Sequence, residues 1–150
     1  MRSTILVIVA SLPMLAAATA AFTSTGNGDR EAIKTAALDY ANGWYTGDRE
    51  RMGRSLHDAM VKRAYLPDAQ GRRALSLMDK ASLLVGNRPG NADHYRDAPK
   101  RAEVEILDVY GGAASVRLHM DGWVDYLHVV RGEGGDWRII NVLWELEPTP

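Results

Sequence analysis

The chain is predicted to be α+β, with helices covering one face of a strongly curved antiparallel sheet. Apolar residues recur at helical spacing early in the chain, and alternating segments divided by turn chemistry fill it after Arg101. The two patterns occupy separate stretches, which argues for segregated layers rather than alternating βαβ units.

The first helix is expected from Asp29, with Ile33, Ala37, Tyr40, Ala41 and Trp44 on its apolar stripe. Asp29 would cap its first turn, and Gly47 suits a left-handed C-terminus. Asp48 has the chemistry of a second cap, followed by Met52 and Leu56 in a shorter helix that ends near His57. Val61 to Leu66 has strand character, Pro67 to Gly71 turn chemistry, and Arg72 to Leu75 the makings of a return strand. Ser76 to Val85 reads as a third helix, capped by Ser76 and stopped by Gly86. Asn87 to Lys100, with Pro89, Gly90 and Pro99, reads as an exposed, mobile loop.

Four strands follow, Glu103 to Tyr110, Ala113 to Met120, Trp123 to Val130 and Trp137 to Leu146. Gly111-Gly112, Asp121-Gly122 and the Arg131 to Asp136 loop join them as hairpins into a meander. No internal repeat or heptad pattern is present, so solenoid and coiled-coil classes drop out.

The 150 residues suit one domain, and 46% hydrophobic with 25% charged residues is a globular balance. The N-terminus has the three regions of a secretory signal: Met1-Arg2-Ser3-Thr4, an apolar run from Ile5 through Leu15, and Ala18-Thr19-Ala20. We therefore expect a signal over residues 1–20, a flexible leader over 21–28 and one domain over 29–147, in a periplasmic or secreted protein. Pro13 interrupts an apolar run shorter than the roughly 20 residues a spanning helix needs, so no membrane association is expected after signal removal. Without cysteine there is neither a disulfide framework nor a cysteine-linked lipid anchor. A formal charge of −1 gives no electrostatic case for nucleic acid.

Tight turns would set Met120 opposite Trp123, Leu118 opposite Asp125 and Val116 opposite Leu127, with Glu105 flanking Leu118. The last hairpin would put Val142 beside Asp125 and Trp144 beside Trp123. One face then collects Leu107, Val109, Val116, Leu118, Met120, Trp123, Leu127, Val129, Ile140, Val142 and Trp144, and must meet the helices. The other carries Ser115, Arg117, His119, Tyr126, His128 and Asn141 among Val124, Ile139 and Leu143. Its mixed polarity fits solvent or a homodimer contact.

Asp125 is the anomaly of the apolar face. A carboxylate among Leu118, Leu127 and Val142 must find hydrogen bonds, take up a proton or reach water in a cavity. It is either a paired structural group or a general acid or base facing a ligand. His57, followed by Asp58, is a second catalytic candidate, its alternative being a dipole partner at a helix end. Tyr40, Trp44, Trp123, Val142 and Trp144 are the candidate ligand-binding residues, since aromatics with polar tips can line a pocket for a flat ring as well as pack a core. His119 and His128 sit four positions out of register, about 13 Å at ~3.3 Å per residue, too far to share an ion. No metal and no cofactor is expected, and no nucleophile elbow or phosphate loop is present.

Helix one ending in Gly47-Asp48, Leu56-His57 before Val61-Lys62-Arg63, Ile106 to Gly111, Trp123-Val124-Asp125-Tyr126-Leu127-His128 and Ile139 to Glu145 together resemble the family called "putative lumazine-binding". That family lies in the nuclear transport factor 2-like (SnoaL-like) superfamily, beside polyketide cyclases, ketosteroid isomerases and scytalone dehydratases. The similarity runs from Asp29 to Glu147. It implies a cone in which three N-terminal helices are wrapped by a bent sheet open at one end to a cavity. It brings no catalytic residues with it. In the superfamily's isomerases and cyclases, acids and bases on the concave face act on flat, carbonyl-bearing molecules. Asp125 is a residue of that type here, and Tyr40, Tyr45 or His57 would be its complementary donor.

Three functions follow as expectations. The first is an exported module binding a small apolar or aromatic ligand. The second is an isomerase, cyclase or dehydratase with Asp125 as general base. The third is an interaction protein working as a homodimer through its polar outer face.

Overall fold

The computed structural model describes residues 26–148; the expected signal and most of the expected leader lie outside them. Helix α1 (Asn27–Thr46) begins within the stretch read as leader and buries Ile33, Ala36, Ala37, Tyr40, Ala41, Gly43 and Tyr45. Three alanines on that face let it lie close to the sheet. It ends as expected at Gly47, in the left-handed region at φ 65°, whose N–H returns to the carbonyls of Gly43 and Trp44. The N-terminal expectation fails: Gly26 is the cap, and Asp29 turns away to accept the Trp137 indole N–H at 3.0 Å. A buried indole donor needs an acceptor more than an exposed helix end does.

Helix α2 (Arg49–Ser55) is capped by the Asp48 carboxylate, which accepts the Arg51 N–H at 2.9 Å. Leu56 and His57, expected on this helix, instead open strand β1 (Leu56–Pro67). Strand β2 (Arg73–Asp79) pairs with it over the expected turn but runs four residues further than predicted. Ser76 therefore lies in a strand, and helix α3 (Lys80–Gly86) takes Asp79 as its cap. The ladder to β1 outcompetes the local preference of Ser76 for a helix start.

The segment after α3 is tied down rather than loose. Asn87 is wholly buried, its amide donating to the Gly43 carbonyl at 3.1 Å, while its own carbonyl accepts from Arg49. Asn91, in the one-turn helix α4 (Gly90–His94), donates to the Trp44 carbonyl. Both amides add a second hydrogen bond to carbonyls of the last turn of α1, and the Tyr95 ring closes edge-on against Tyr45.

Strands β3 (Ala102–Tyr110), β4 (Ala113–Met120), β5 (Trp123–Arg131) and β6 (Trp137–Leu146) form the expected meander. They join the first hairpin in one sheet of order β2-β1-β6-β5-β4-β3, antiparallel throughout except where β1 runs parallel to β6. The β4–β5 register is as expected, with Leu118 opposite Asp125. Two bulges correct the rest. Leu107 is extra in β3, so Val104 rather than Glu105 faces Leu118, Glu105 pairs outward with Arg117, and Leu107 is exposed. Ile140 is extra in β6, so Ile139 takes the buried position given above to Ile140. That bulge and one further residue in the preceding turn shift β6 by two. Trp144 now opposes Asp125 and Val142 opposes Leu127, on the face expected for both. Bulges bend and twist a sheet, and these bends wrap it around α1.

Candidate functional site

Between the C-terminal half of α1 and the concave face of the sheet lies a cavity of about 310 Å³. Its wall takes Tyr40 and Trp44 from α1, Lys62 from β1, Leu83 from α3, and Trp123 and Trp144 from the meander. Tyr95 from the pinned segment and Met78, Gly86, Met120 and Leu146 complete it. Four of the five predicted ligand-binding residues are therefore brought together. Val142 is wholly buried in the core and does not reach the space.

The polar centre of this wall is Lys62. Its Nζ lies 2.6 Å from Asp125 Oδ1 and 2.8 Å from the Tyr40 hydroxyl, and 4.8 Å above the centre of the Trp144 ring. Trp123 Nε1 donates to the other Asp125 oxygen at 3.2 Å. The side chains of Lys62 and Asp125 are 7% and 0% exposed, so both charges have left water and each depends on the other. The carboxylate that had to find hydrogen bonds has found them, its counter-charge being a lysine. Asp125 itself does not line the cavity; Lys62 stands between it and the space.

Burial pushes the Lys62 ammonium below its usual range, and the Asp125 carboxylate opposes that shift. Burial also raises the Tyr40 phenol well above its usual value of 10.0, and the neighbouring Asp125 charge adds to the rise. A raised phenol favours the fold fully below that ordinary value, and the gain is lost as pH climbs through the folded-state value. Lys62 acts with the opposite sign on the alkaline side, so phenolate absorbance is the cleaner readout. Tyr40 should ionise only as the protein unfolds, a late component absent from Tyr40→Phe. All tyrosines titrating together near pH 10 would contradict the burial of Tyr40.

The other candidates lie elsewhere. His57, early in β1, uses Nδ1 to accept the Ala59 N–H at 3.1 Å and is not part of the cavity wall. Asp58, expected to orient it, pairs with Lys80 at 2.8 Å. Tyr45 is spent on structure, donating to the Arg101 carbonyl and accepting from the Asp121 N–H. His119 joins Arg101 and Glu147, whereas His128 contacts Asn141. No group of three or more metal-ligating side chains occurs among the described residues.

Lys62 was missed as a site residue, although a signal for it existed. It falls in phase with Met60 and Ala64, the inward positions of β1, and a lysine on a buried strand face calls for an acid. Asp125 was that acid. Their pairing depends on β6, which lies between β1 and β5 in the sheet.

A profile of the family described as "Putative lumazine-binding" matches residues 28–145. No curated protein matches the chain. Among solved structures, a nuclear transport factor 2-like protein of unknown function from Shewanella baltica OS155 is 19% identical with a TM-score of 0.61, covering 84% of this chain and 99% of its own. Another from Methylobacillus flagellatus KT is 18% identical at 0.62, covering 82% and 95%. A ketosteroid isomerase-like protein from Erwinia carotovora atroseptica SCRI1043 is 13% identical at 0.59, covering 83% and 100%. At these identities the likeness establishes the nuclear transport factor 2-like fold.

Proposed function

This chain belongs to the "Putative lumazine-binding" family, and from that premise and its cavity we propose that it is an exported protein that binds a small, largely apolar molecule between its helices and its curved sheet. The observation that carries the reading is a space of about 310 Å³, walled by three indoles and holding one buried ammonium. Small-molecule pockets of roughly 300–1,000 Å³ have this make-up, apolar walls with a few placed polar groups. A core evolved only for stability would close such a space, because voids forfeit packing energy.

The indoles supply the test. Trp44, Trp123 and Trp144 line the cavity, while Trp137 is bound to Asp29 and is not part of its wall. With a flat apolar probe, 2-acetonaphthone, the indole N–H resonances of the first three should shift in NMR and that of Trp137 should stay. An unmoved set, or movement of Trp137 alone, would defeat the reading. Export predicts a mature polypeptide beginning at Ala21, read by intact mass.

The enzymatic alternative, with Asp125 as general base, is the less favoured one, because both carboxylate oxygens are already engaged by Lys62 and Trp123. A homodimer is a second reading with its own support. Tyr65, Leu75, Leu77, Tyr126 and Leu143 are exposed on the outer face, across four neighbouring strands. Sedimentation velocity across concentrations should then give a dimer, and a monomer throughout would dismiss it.

A further inference from the structure

The hydrogen-bonding complement of the cavity is one-sided. Lys62 has three N–H donors; Asp125 and Tyr40 take two, and the third has no acceptor among the described residues. The indole N–H groups of Trp44 and Trp144, both wall residues, are buried without a partner there. Acceptors are scarce by contrast. The lining side chains include no carboxylate, amide or serine-type hydroxyl; of the two phenol oxygens, that of Tyr40 is already bonded to Lys62 and that of Tyr95 is left. Asp125 lies behind the wall, with each of its oxygens engaged.

The charge is balanced as well. The Lys62 ammonium is offset by the Asp125 carboxylate 2.6 Å away, so the site has no net positive charge to offset the dehydration of an anion. A ligand N–H would find few acceptors, the Tyr95 phenol oxygen apart, and an unmade buried hydrogen bond is costly.

We infer that the cavity takes a neutral, flat molecule that accepts hydrogen bonds and donates none, such as an aromatic ketone with its carbonyl oxygen on the Lys62 ammonium. This rests on the binding function proposed above and narrows it. It also runs against the family's name, since the ring N–H groups of a pteridine dione would enter a wall of donors.

The test compares four probes by the indole NMR titration: 2-acetonaphthone, 2-ethylnaphthalene, 2-naphthoate and lumazine. The ketone should bind about tenfold more tightly than the hydrocarbon, as a hydrogen bond to a charged donor provides. It should exceed the carboxylate by at least about tenfold, and exceed lumazine too. Lys62→Met alone strands Asp125 and can unfold the protein. The ketone advantage is therefore also measured in the double variant Lys62→Met with Asp125→Leu, which removes both charges; there it should fall to about twofold or less, with hydrocarbon affinity retained. Tighter binding of naphthoate or lumazine than of the ketone would overturn this inference while leaving the pocket intact. So would a ketone advantage that survives in the double variant. Absence of binding by all four probes would sink the pocket itself.

Discussion

Asp125→Ala should destabilise the protein by about 3–5 kcal/mol, the penalty for leaving a buried ammonium without its counter-charge. Lys62 is 7% exposed at the side chain and has no second carboxylate within salt-bridge distance among the described residues. The loss would be read by urea or thermal denaturation. Removing both charges, by Lys62→Met with Asp125→Leu, should recover most of it, because apolar groups of similar size can replace a buried pair at little cost. A destabilisation of Asp125→Ala below about 1 kcal/mol would mean that water reaches Lys62 and the pair is not sequestered. Such a recovery would show that the pair adds little net stability, in keeping with the binding role proposed for Lys62.

The second large effect is expected at Gly47, outside the buried ion pair. Its φ of +65° is unfavourable for a side chain, and a Cβ there would lie 2.2 Å from the Arg88 carbonyl oxygen and 2.7 Å from Pro89 Cα. Backbone on both sides has to move, so Gly47→Ala should cost on the order of 3 kcal/mol. The damage should also reach the site, since the displaced residues lie between Asn87, which holds the end of α1, and Tyr95, which lines the cavity. Hydrogen exchange should rise across residues 87–95, and 2-acetonaphthone should bind more weakly. Gly86→Ala provides the contrast. A Cβ there meets nothing within 4 Å, so that change should be neutral or mildly stabilising. Equal stabilities for the two variants would contradict the close approach at Gly47.

The fold was legible where local rules are strong. The α1 stripe, the Gly47 stop, the Asp48 cap and the hairpins at Gly111 and Gly122 follow from the chemistry of neighbouring residues, and they stand. What failed depends on contacts between distant parts of the chain. Asp29 was drawn to the Trp137 indole, Ser76 into a ladder with Ala64, and Asn87 into the end of α1. The bulges at Leu107 and Ile140 left no local mark, so the registers past them were offset even where the correct face was assigned. The site divided in the same way. Trp44, Trp123, Trp144 and Tyr40 were visible as aromatics on inward faces, and Asp125 as a charge out of place. Lys62 was hidden because its partner is across the sheet, through the parallel pairing of β1 with β6 that no turn in the sequence announces.

Native mass spectrometry of the protein, purified gently from its own cells, tests most directly whether the cavity beside Lys62 holds a small molecule. The account predicts an extra mass on the order of 300 Da or less on each polypeptide, in keeping with so small a pocket, lost on denaturation. The mass of the bare polypeptide in every preparation would contradict it.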